Sequence, residues 1–237
     1  GQIRYDWQHG ESNTYSGKQH GFHTNLNIAY NFELKNFDLR LFTGLKHSFL
    51  NKKSGPLSPE SGIDLSFTKR IRWQVIYKIG RQYRFPTLND LFWNPGGNPN
   101  LIPEEGWGTE MTSRIDLPWG TSNKLNTGFS VTGYYQRLRH YILWTPDLTG
   151  LWQAENLDQV KAFGFEGQIS QDFSFKRFSV NVSGKYAYQR IGDLNEENLG
   201  LQHIYAPEHQ FSTVLQIGFR GFSLRSDIRY VSRRFTA

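Results

Sequence analysis

The feature that most constrains the fold of this sequence is the alternation of long and short links between its predicted strands. The chain divides into about eleven long amphipathic segments, and the links between them alternate in length from start to finish. A soluble sandwich has no reason to sort its loops in this way. An antiparallel barrel in a bacterial outer membrane does, with tight turns on the periplasmic side and long loops outside. The short links lie near residues 35–36, 69–70, 119–123, 174–176 and 220–221, and the long ones near residues 10–19, 51–59, 86–104, 145–159 and 191–207.

Each predicted strand carries apolar side chains on one face and polar side chains on the other. Residues 25–34 alternate in this way, and residues 37–46 continue the pattern. Such segments have about 10–14 residues, compared with about 5–6 in soluble strands and about 9–11 in a tilted membrane-spanning strand. The predicted fold class is therefore all-β, a transmembrane antiparallel β-barrel. We expect its apolar faces to meet lipid, and Asp38, Arg40 and Lys46 to face the lumen.

The composition is consistent with a barrel and excludes several other classes. Aromatic residues reach 16%, which suits the girdles at the two membrane interfaces. The mean hydropathy of −0.60 and the lack of any apolar run of about 18 residues argue against helical membrane spans. The chain has no Cys, which excludes thiolate metal sites. Its net charge is +6, but the Lys and Arg residues are scattered over strand positions, so we expect no nucleic-acid partner.

The sequence contains no established enzyme motif: no nucleophile elbow, no His-Glu-x-x-His and no phosphate loop. Histidines at a barrel rim could support hydrolysis, and an acidic loop could bind calcium, although the loop lacks the alternate-position spacing of a calcium site. Surface or lumen positions explain the histidines better, and a solvated loop tip explains the acidic residues better. The histidines are His140, His203 and His209, and the acidic residues are Asp193, Glu196 and Glu197.

The most irregular stretch, residues 83–107, contains four prolines and cannot form a central strand. It reads F-P-T-L-N-D-L-F over 85–92 and G-N-P-N-L-I-P-E over 97–104. This order resembles the TonB-dependent outer-membrane receptors, in which a strand ends in a Phe-Arg-x-Pro-like element and returns through Gly-Asn-Pro-x-Leu-x-Pro-Glu. Here the first element is Y-R-F-P, a small departure. Further elements follow in the family's order at residues 164–167, 205–209 and 229–235.

The resemblance implies a larger receptor of which residues 1–237 form part of the barrel. Such receptors have a 22-stranded barrel with a plugged lumen, so we expect about eight strands before this span and about three after it, together with a plug domain. The implied location is the outer membrane of a Gram-negative bacterium. The implied partners are outer-membrane lipid, the TonB energy-coupling protein through the plug, and a surface lipoprotein over the extracellular loops. Neither a cofactor nor an enzymatic activity is implied.

The resemblance also implies that the ligand is a scarce nutrient, either cobalamin or a ferric siderophore, since the Gly-Asn-Pro element occurs in receptors for both. Long neutral aromatic loops favour the large amphipathic macrocycle of cobalamin. Basic loop residues, which siderophore receptors often present, keep the second ligand open; they are Lys18, Lys52 and Lys53.

We expect the ligand to be selected by the outer loops, because loops vary while a rigid scaffold holds them. The predicted loops are 86–104, 145–159 and 191–207, and the candidate ligand-binding residues are Trp93, Trp144 and Trp152. Two alternatives stay open, an outer-membrane barrel enzyme and a soluble all-β carbohydrate-binding domain. In a filled barrel, four lumen cations are expected to contact the plug, namely Arg40, Lys46, Arg72 and Lys78.

Overall fold

The computed structural model describes residues 2–11, 16–51, 53–68, 71–119, 125–193 and 206–234, which form one antiparallel sheet. Eleven long strands follow one another across it in chain order, and one two-residue strand pairs at the side. The strands are β1 (Gln2–Glu11), β2 (Ser16–Glu33), β3 (Asp38–Leu50), β4 (Lys53–Ser54), β5 (Ser58–Thr68), β6 (Arg72–Arg84), β7 (Glu104–Trp119), β8 (Leu125–Pro146), β9 (Trp152–Phe175), β10 (Phe178–Asp193), β11 (His209–Phe219) and β12 (Phe222–Val231), with one helix, α1 (Leu88–Phe92), between β6 and β7.

Because consecutive strands are antiparallel neighbours, alternate links lie on the same rim of the sheet. The short links share one rim, which we call the turn rim, and the long links share the other, the loop rim. At the turn rim, Lys176 and Arg220 adopt φ values of 54° and 48°, and Gly221 one of 90°, as tight hairpin turns between twisted strands require. The predicted placement of the two sets of links on opposite rims is confirmed, and so is the strand count of about eleven. The extent of the link predicted at 10–19 is wrong, because β1 continues to Glu11 and β2 begins at Ser16.

The loop predicted over residues 145–159 is wrong in its extent. β8 continues to Pro146 and β9 begins at Trp152, so only a tight turn separates them. Asp147 holds that turn, since its side chain accepts the backbone N–H of Thr149 at 2.8 Å. Residues 140–146 at the end of β8 no longer alternate apolar with polar side chains, so the periodic signal stops before the strand does. The long link predicted at 191–207 lies mostly outside the described residues.

The strand register gathers the apolar residues on one face and the polar residues on the other. Leu41 pairs across the strands with Tyr30 on one side and Ile63 on the other. Arg40 lies on the opposite face, as does Lys46, which lines a cavity of about 640 Å³. A second cavity of about 540 Å³ is lined mainly by polar-face residues of strands β7 to β12. The polar face is therefore the concave one, which is the arrangement expected of a lumen.

Burial is reversed relative to a water-soluble protein. Most of the large apolar side chains on the outer face are solvent-exposed, and the residues that the structure describes form no core behind them. Among the described residues, no helix has the length and apolarity needed to cross a membrane. The sheet is unclosed, because β1 and β12 stand at its two ends. In the described ranges, the buried hydrophobic side chains lie near the loop rim: Leu88, Leu101, Ile142, Ala154 and Val160.

Candidate functional site at the loop rim

Residues 85–103, the link between β6 and β7, fold back onto the concave side of the β8–β9 hairpin. We call them the docked loop. Leu101 of this loop forms a buried cluster with Ile142 and Ala154, and Leu91 and Trp144 pack against it. The two strands extend past the neighbouring wall here, and the loop covers the apolar surface that this extension exposes.

Helix α1 starts at a capping box. The Thr87 hydroxyl accepts the backbone N–H of Asp90 at 3.2 Å, and the Asp90 carboxylate accepts the backbone N–H of Thr87 at 2.8 Å. These two bonds satisfy N–H groups that a helix start leaves without partners. A five-residue helix is too short to persist alone, so packing must also hold it, and Leu88 is buried at its start.

Asp90 links the helix to the hairpin. The Trp144 indole N–H donates to its carboxylate at 3.0 Å, and an Arg84 guanidinium nitrogen lies 3.5 Å away. Asp90 is only 7% exposed. Burial acts to raise the pKa of this carboxyl, but the hydrogen bonds from Thr87 and Trp144 and the charge of Arg84 outweigh it and hold the pKa below its ordinary value. The carboxylate therefore stays ionised and anchors the helix.

Arg84 and Glu104 close the base of the docked loop. The guanidinium donates to both carboxylate oxygens, at 2.8 and 2.7 Å, which is the strong bidentate geometry. The same carboxylate accepts the backbone N–H of Ile142 at 2.7 Å, and Glu104 is only 6% exposed. The last residue of β6, the first of β7 and the later part of β8 thus meet at one charged group.

Backbone contacts complete the docking. The Ala154 N–H donates to the Gly96 carbonyl at 2.9 Å, and the Asn98 side chain donates to the Ala154 carbonyl at 3.2 Å. Gly96 has a φ of 115°, and a Cβ there would overlap the carbonyl oxygen of Trp152. The Gly-Asn-Pro element, together with the glycine just before it, therefore docks the loop. That preceding residue, Gly96, must be glycine both for this close approach and for its backbone conformation.

The three candidate tryptophans lie around the docked loop in different settings. Trp144 is half-buried, and its indole N–H is used by Asp90. Trp93 follows α1 and is 40% exposed, and Trp152 opens β9 and is 38% exposed. The structure thus gives Trp144 a packing position and leaves two rings partly accessible at the rim. Ligand contact by any of the three stays a prediction.

The other candidates from the sequence do not converge. Within the described part of the chain, no group of three or more His, Asp or Glu side chains could hold a metal ion. His140 lies within β8 and has a φ of 54°. His209 begins β11, and its ring nitrogen lies 2.8 Å from the Tyr186 hydroxyl. Asp193 ends β10, whereas His203, Glu196 and Glu197 lie outside the described residues.

The four lumen cations expected to contact a plug all lie on the concave polar face. Lys46 is 3.8 Å from Glu60 and Lys78 is 3.1 Å from Glu110. Such exposed pairs contribute about 0–1 kcal/mol each, which leaves their charges accessible to another partner. The remaining two cations face carboxylates across the strands, in the pairs Arg40–Asp64 and Arg72–Asp116.

Sequence reasoning missed the charged cluster at the base of the docked loop. Its members are Arg84, Asp90 and Glu104. Two signals were present: Thr87 with an acidic residue three positions later, which is a capping-box pattern, and opposite charges at the two ends of one proline-rich link. Neither signal identifies Trp144 as the partner, because that contact spans 54 residues.

These features define a class: a segment of a transmembrane β-barrel wall, apolar outside and polar inside, with a structured loop folded into its mouth. A family model described as "TonB dependent receptor-like, beta-barrel" matches residues 1–237. The chain belongs to the TonB-dependent receptor family, which confirms the resemblance seen in the sequence.

Two curated relatives are both named Vitamin B12 transporter BtuB. The one from Photobacterium profundum is 35% identical over 122 residues, which cover 47% of this chain and 19% of the relative. The one from Vibrio vulnificus is 29% identical over 133 residues, covering 51% and 21%. A solved structure, the FrpB iron transporter from Neisseria meningitidis (F3-3 variant), superposes with a TM-score of 0.53 at 14% identity, covering 90% of this chain and 33% of that one. The matches thus span about a fifth of each curated relative, and at this identity the FrpB likeness shows the fold alone.

Proposed function

We propose that this chain is part of an outer-membrane transporter that takes up a corrinoid such as cobalamin with energy coupled through TonB. The observation that carries the proposal is the similarity of about half of the chain to two relatives named as vitamin B12 transporters. In this proposal the chain forms part of the transporter's barrel wall and of its rim, and it carries out no covalent chemistry. A plug domain, which TonB would pull, and a surface lipoprotein over the loops remain part of the proposal.

The wall has the properties that an outer membrane demands. Its backbone N–H and C=O groups pair between neighbouring strands, as a hydrocarbon surrounding requires. On β8, uncharged side chains occupy the outer face from Leu125 to Tyr135, about the 9–11 residues that a tilted strand needs to span the membrane. The concave face, with its ion pairs and cavities, suits a polar plug domain.

Ligand binding falls to the rim around the docked loop. Trp93 and Trp152 each expose about two-fifths of their surface there, and aromatic walls with a few polar groups are common in sites for large ligands. The docked loop sets their positions, because Gly96 seats it against the Trp152 backbone. Trp144 acts indirectly by holding Asp90.

The test measures binding of cyanocobalamin and of a ferric siderophore by the complete protein in detergent or nanodiscs. Replacing both Trp93 and Trp152 with Ala should weaken cobalamin binding by about tenfold, the loss expected for two partly exposed aromatic contacts. Trp73→Ala, on the outer face of β6, is the matched control and should leave binding unchanged. Heat-modifiability on gels reports whether each variant still assembles.

Two results would contradict the proposal in different ways. Binding of the siderophore and not of cobalamin would reject the ligand assignment and keep the transporter class. Unchanged cobalamin binding in the double variant would keep the ligand and assign the two tryptophans to packing, so that the site would lie elsewhere in the protein.

A further inference from the structure

The outer face of the wall changes character abruptly near the loop rim. On β8 the outward positions carry no charge from Leu125 to Tyr135, and the next two outward residues are Arg137 and Arg139, both exposed. If the uncharged band spans the hydrocarbon, these guanidiniums lie one and two steps beyond its edge, at the level of the lipid headgroups. They point away from the lumen and so cannot contact a plug.

The strand register brings further cations to the same level. Arg137 pairs with Trp107 on β7 and with Lys161 on β9. Trp107 in turn pairs with Arg81 on β6. Four neighbouring strands therefore present a row of three cations interrupted by one tryptophan, which is 51% exposed, and Arg139 lies one step nearer the rim.

These cations carry a surplus of positive charge. Glu105 is paired with Arg81 at 2.7 Å. Arg137 donates to the neutral side chain of Gln159 at 2.6 Å. Arg139 has no hydrogen bond or ion pair with any side chain that the structure describes. Glu105 lies opposite Arg139 across the strands, but its carboxylate is already paired with Arg81. The charged lining of the cleft described below is therefore three arginines and one carboxylate.

Aromatic rings border the row on its membrane side. The Lys161 ammonium lies 5.7 Å from the centroid of the Tyr135 ring and 5.9 Å from that of Phe163. Amphipathic aromatics beside cations mark the hydrocarbon–headgroup boundary. An outward cleft of about 320 Å³ opens directly above, lined by Arg81, Glu105, Gly106, Trp107, Arg137 and Arg139.

We infer that this outer-face cationic cleft, lined by Arg81, Glu105, Trp107, Arg137 and Arg139 and flanked by Lys161, binds the phosphate group of a lipid in the leaflet at the loop rim. A guanidinium fork matches phosphate geometry, and the cleft is continuous with an apolar band on which acyl chains would lie. A soluble anionic partner would have to cover that band as well. The inference rests on the membrane placement in the proposed function.

The experiment uses the complete protein in nanodiscs of phosphatidylcholine to which lipid A is added, and measures retained lipid A by native mass spectrometry. The triple variant Arg137→Gln, Arg139→Gln, Lys161→Gln should lose lipid A affinity by about fivefold per cation, on the order of 100-fold in all. The matched control removes three cations from the polar face of the same sheet, in the variant Arg114→Gln, Lys185→Gln, Arg229→Gln, and should retain the lipid.

Three results would overturn the inference. Unchanged lipid A retention in the triple variant would remove the site. Equal loss in the polar-face control would show a dependence on net charge alone. Retention of dephosphorylated lipid A as strong as that of lipid A would show that acyl contacts, and not phosphate, hold the lipid.

Failure of the proposed function is distinguishable from failure of this site. Quenching of tryptophan fluorescence by brominated lipid reports whether the protein lies in the membrane, and its absence in the unmodified protein would reject the placement. Cobalamin binding, measured in parallel, should be the same in the triple variant and the unmodified protein, because none of the three replaced residues lines the two concave cavities.

Discussion

The docked loop and the strands of the wall follow opposite rules of burial. The docked loop buries apolar side chains inward against Ile142 and Ala154 and encloses two carboxylates, Asp90 and Glu104. In the wall, apolar side chains such as Ile28 and Leu224 remain exposed on the outer face, and polar ones face a concave space. One chain thus contains a small buried core of the kind found in water-soluble proteins, next to a wall whose apolar face is suited to lipid.

The two regions differ in the interactions that stabilise them. The wall depends on continuous pairing between strands and on a surrounding solvent that accepts apolar surface. The docked loop depends on a few specific contacts between residues far apart in the chain. We expect the stability of the wall to depend on closure of the barrel and on the absence of charge from its outer face. We expect the docking of the loop to depend on single polar side chains.

The largest effect should come from removing closure. The 237-residue span alone should not give a monodisperse, heat-resistant monomer in detergent, because β1 and β12 each have one strand neighbour and backbone groups without partners cost several kcal/mol each in hydrocarbon. Size-exclusion chromatography and heat-modifiability measure this, with the complete protein as control. A compact, heat-resistant monomer would show that the wall does not depend on further strands.

Outward charge should have the next largest effect. Leu41→Arg places a guanidinium on the apolar face, and should lower the free energy of unfolding in a bilayer by about 2–4 kcal/mol if that position is near the midplane. Asn27→Arg is the matched control, since Asn27 lies on the polar face opposite Gly44, and should change stability little. Urea unfolding of the complete protein in vesicles compares them. Equal losses would mean that the two faces are not distinguished by lipid.

A single buried acceptor should control the docked loop. Glu104→Ala leaves the Ile142 N–H and the Arg84 guanidinium without their acceptor, and should cost about 1–3 kcal/mol in local docking. Hydrogen exchange of the Ile142 amide and limited proteolysis of the loop measure it. The control is Glu110→Ala on the same strand, which removes an exposed pair with Lys78 worth about 0–1 kcal/mol. If both variants leave exchange at Ile142 unchanged, Glu104 does not hold the loop.

Acid should weaken the docking of the loop, and this should be the smallest of the four effects. The pKa of Asp90 is lowered in the docked state from its ordinary value of 3.8, so its contribution is fully present above pH 3.8 and is lost as the pH falls through the lower, docked value. The Asp90→Asn variant removes this titration, and the difference between the two proteins in the pH dependence of loop proteolysis should appear only below that pH. A difference that instead grows between about pH 5 and 7 would assign the titration to another group.

The wall could be predicted from the sequence because its rules are local. Alternation along a strand decides which side chains share a face, so Arg40 could be separated from Leu41 without coordinates. The parity of link lengths indicated the topology. The motif over residues 85–104 identified the family, although its structural role could not be predicted from the sequence.

The docking of that motif, by contrast, could not be predicted, because its partners lie about 50 residues away. No local pattern states that Trp144 donates to Asp90, or that Gly96 approaches the Trp152 carbonyl. For the same reason the sequence could not distinguish Trp144 from Trp93 and Trp152 as a candidate for ligand binding. The end of β8 was also missed, since its last residues lose the alternation of side chains but keep their pairing with β9 as far as Pro146.

The sequence by itself determined the strands, their two faces, the order of the links and the family, because side-chain period and link length are properties of neighbouring residues. Only the tertiary structure decided that residues 85–103 fold into the mouth of the wall, and that Arg81, Arg137 and Lys161 meet in one outward row. Both follow from strand register and from burial against distant residues, which are fixed only when separate segments of the chain come together.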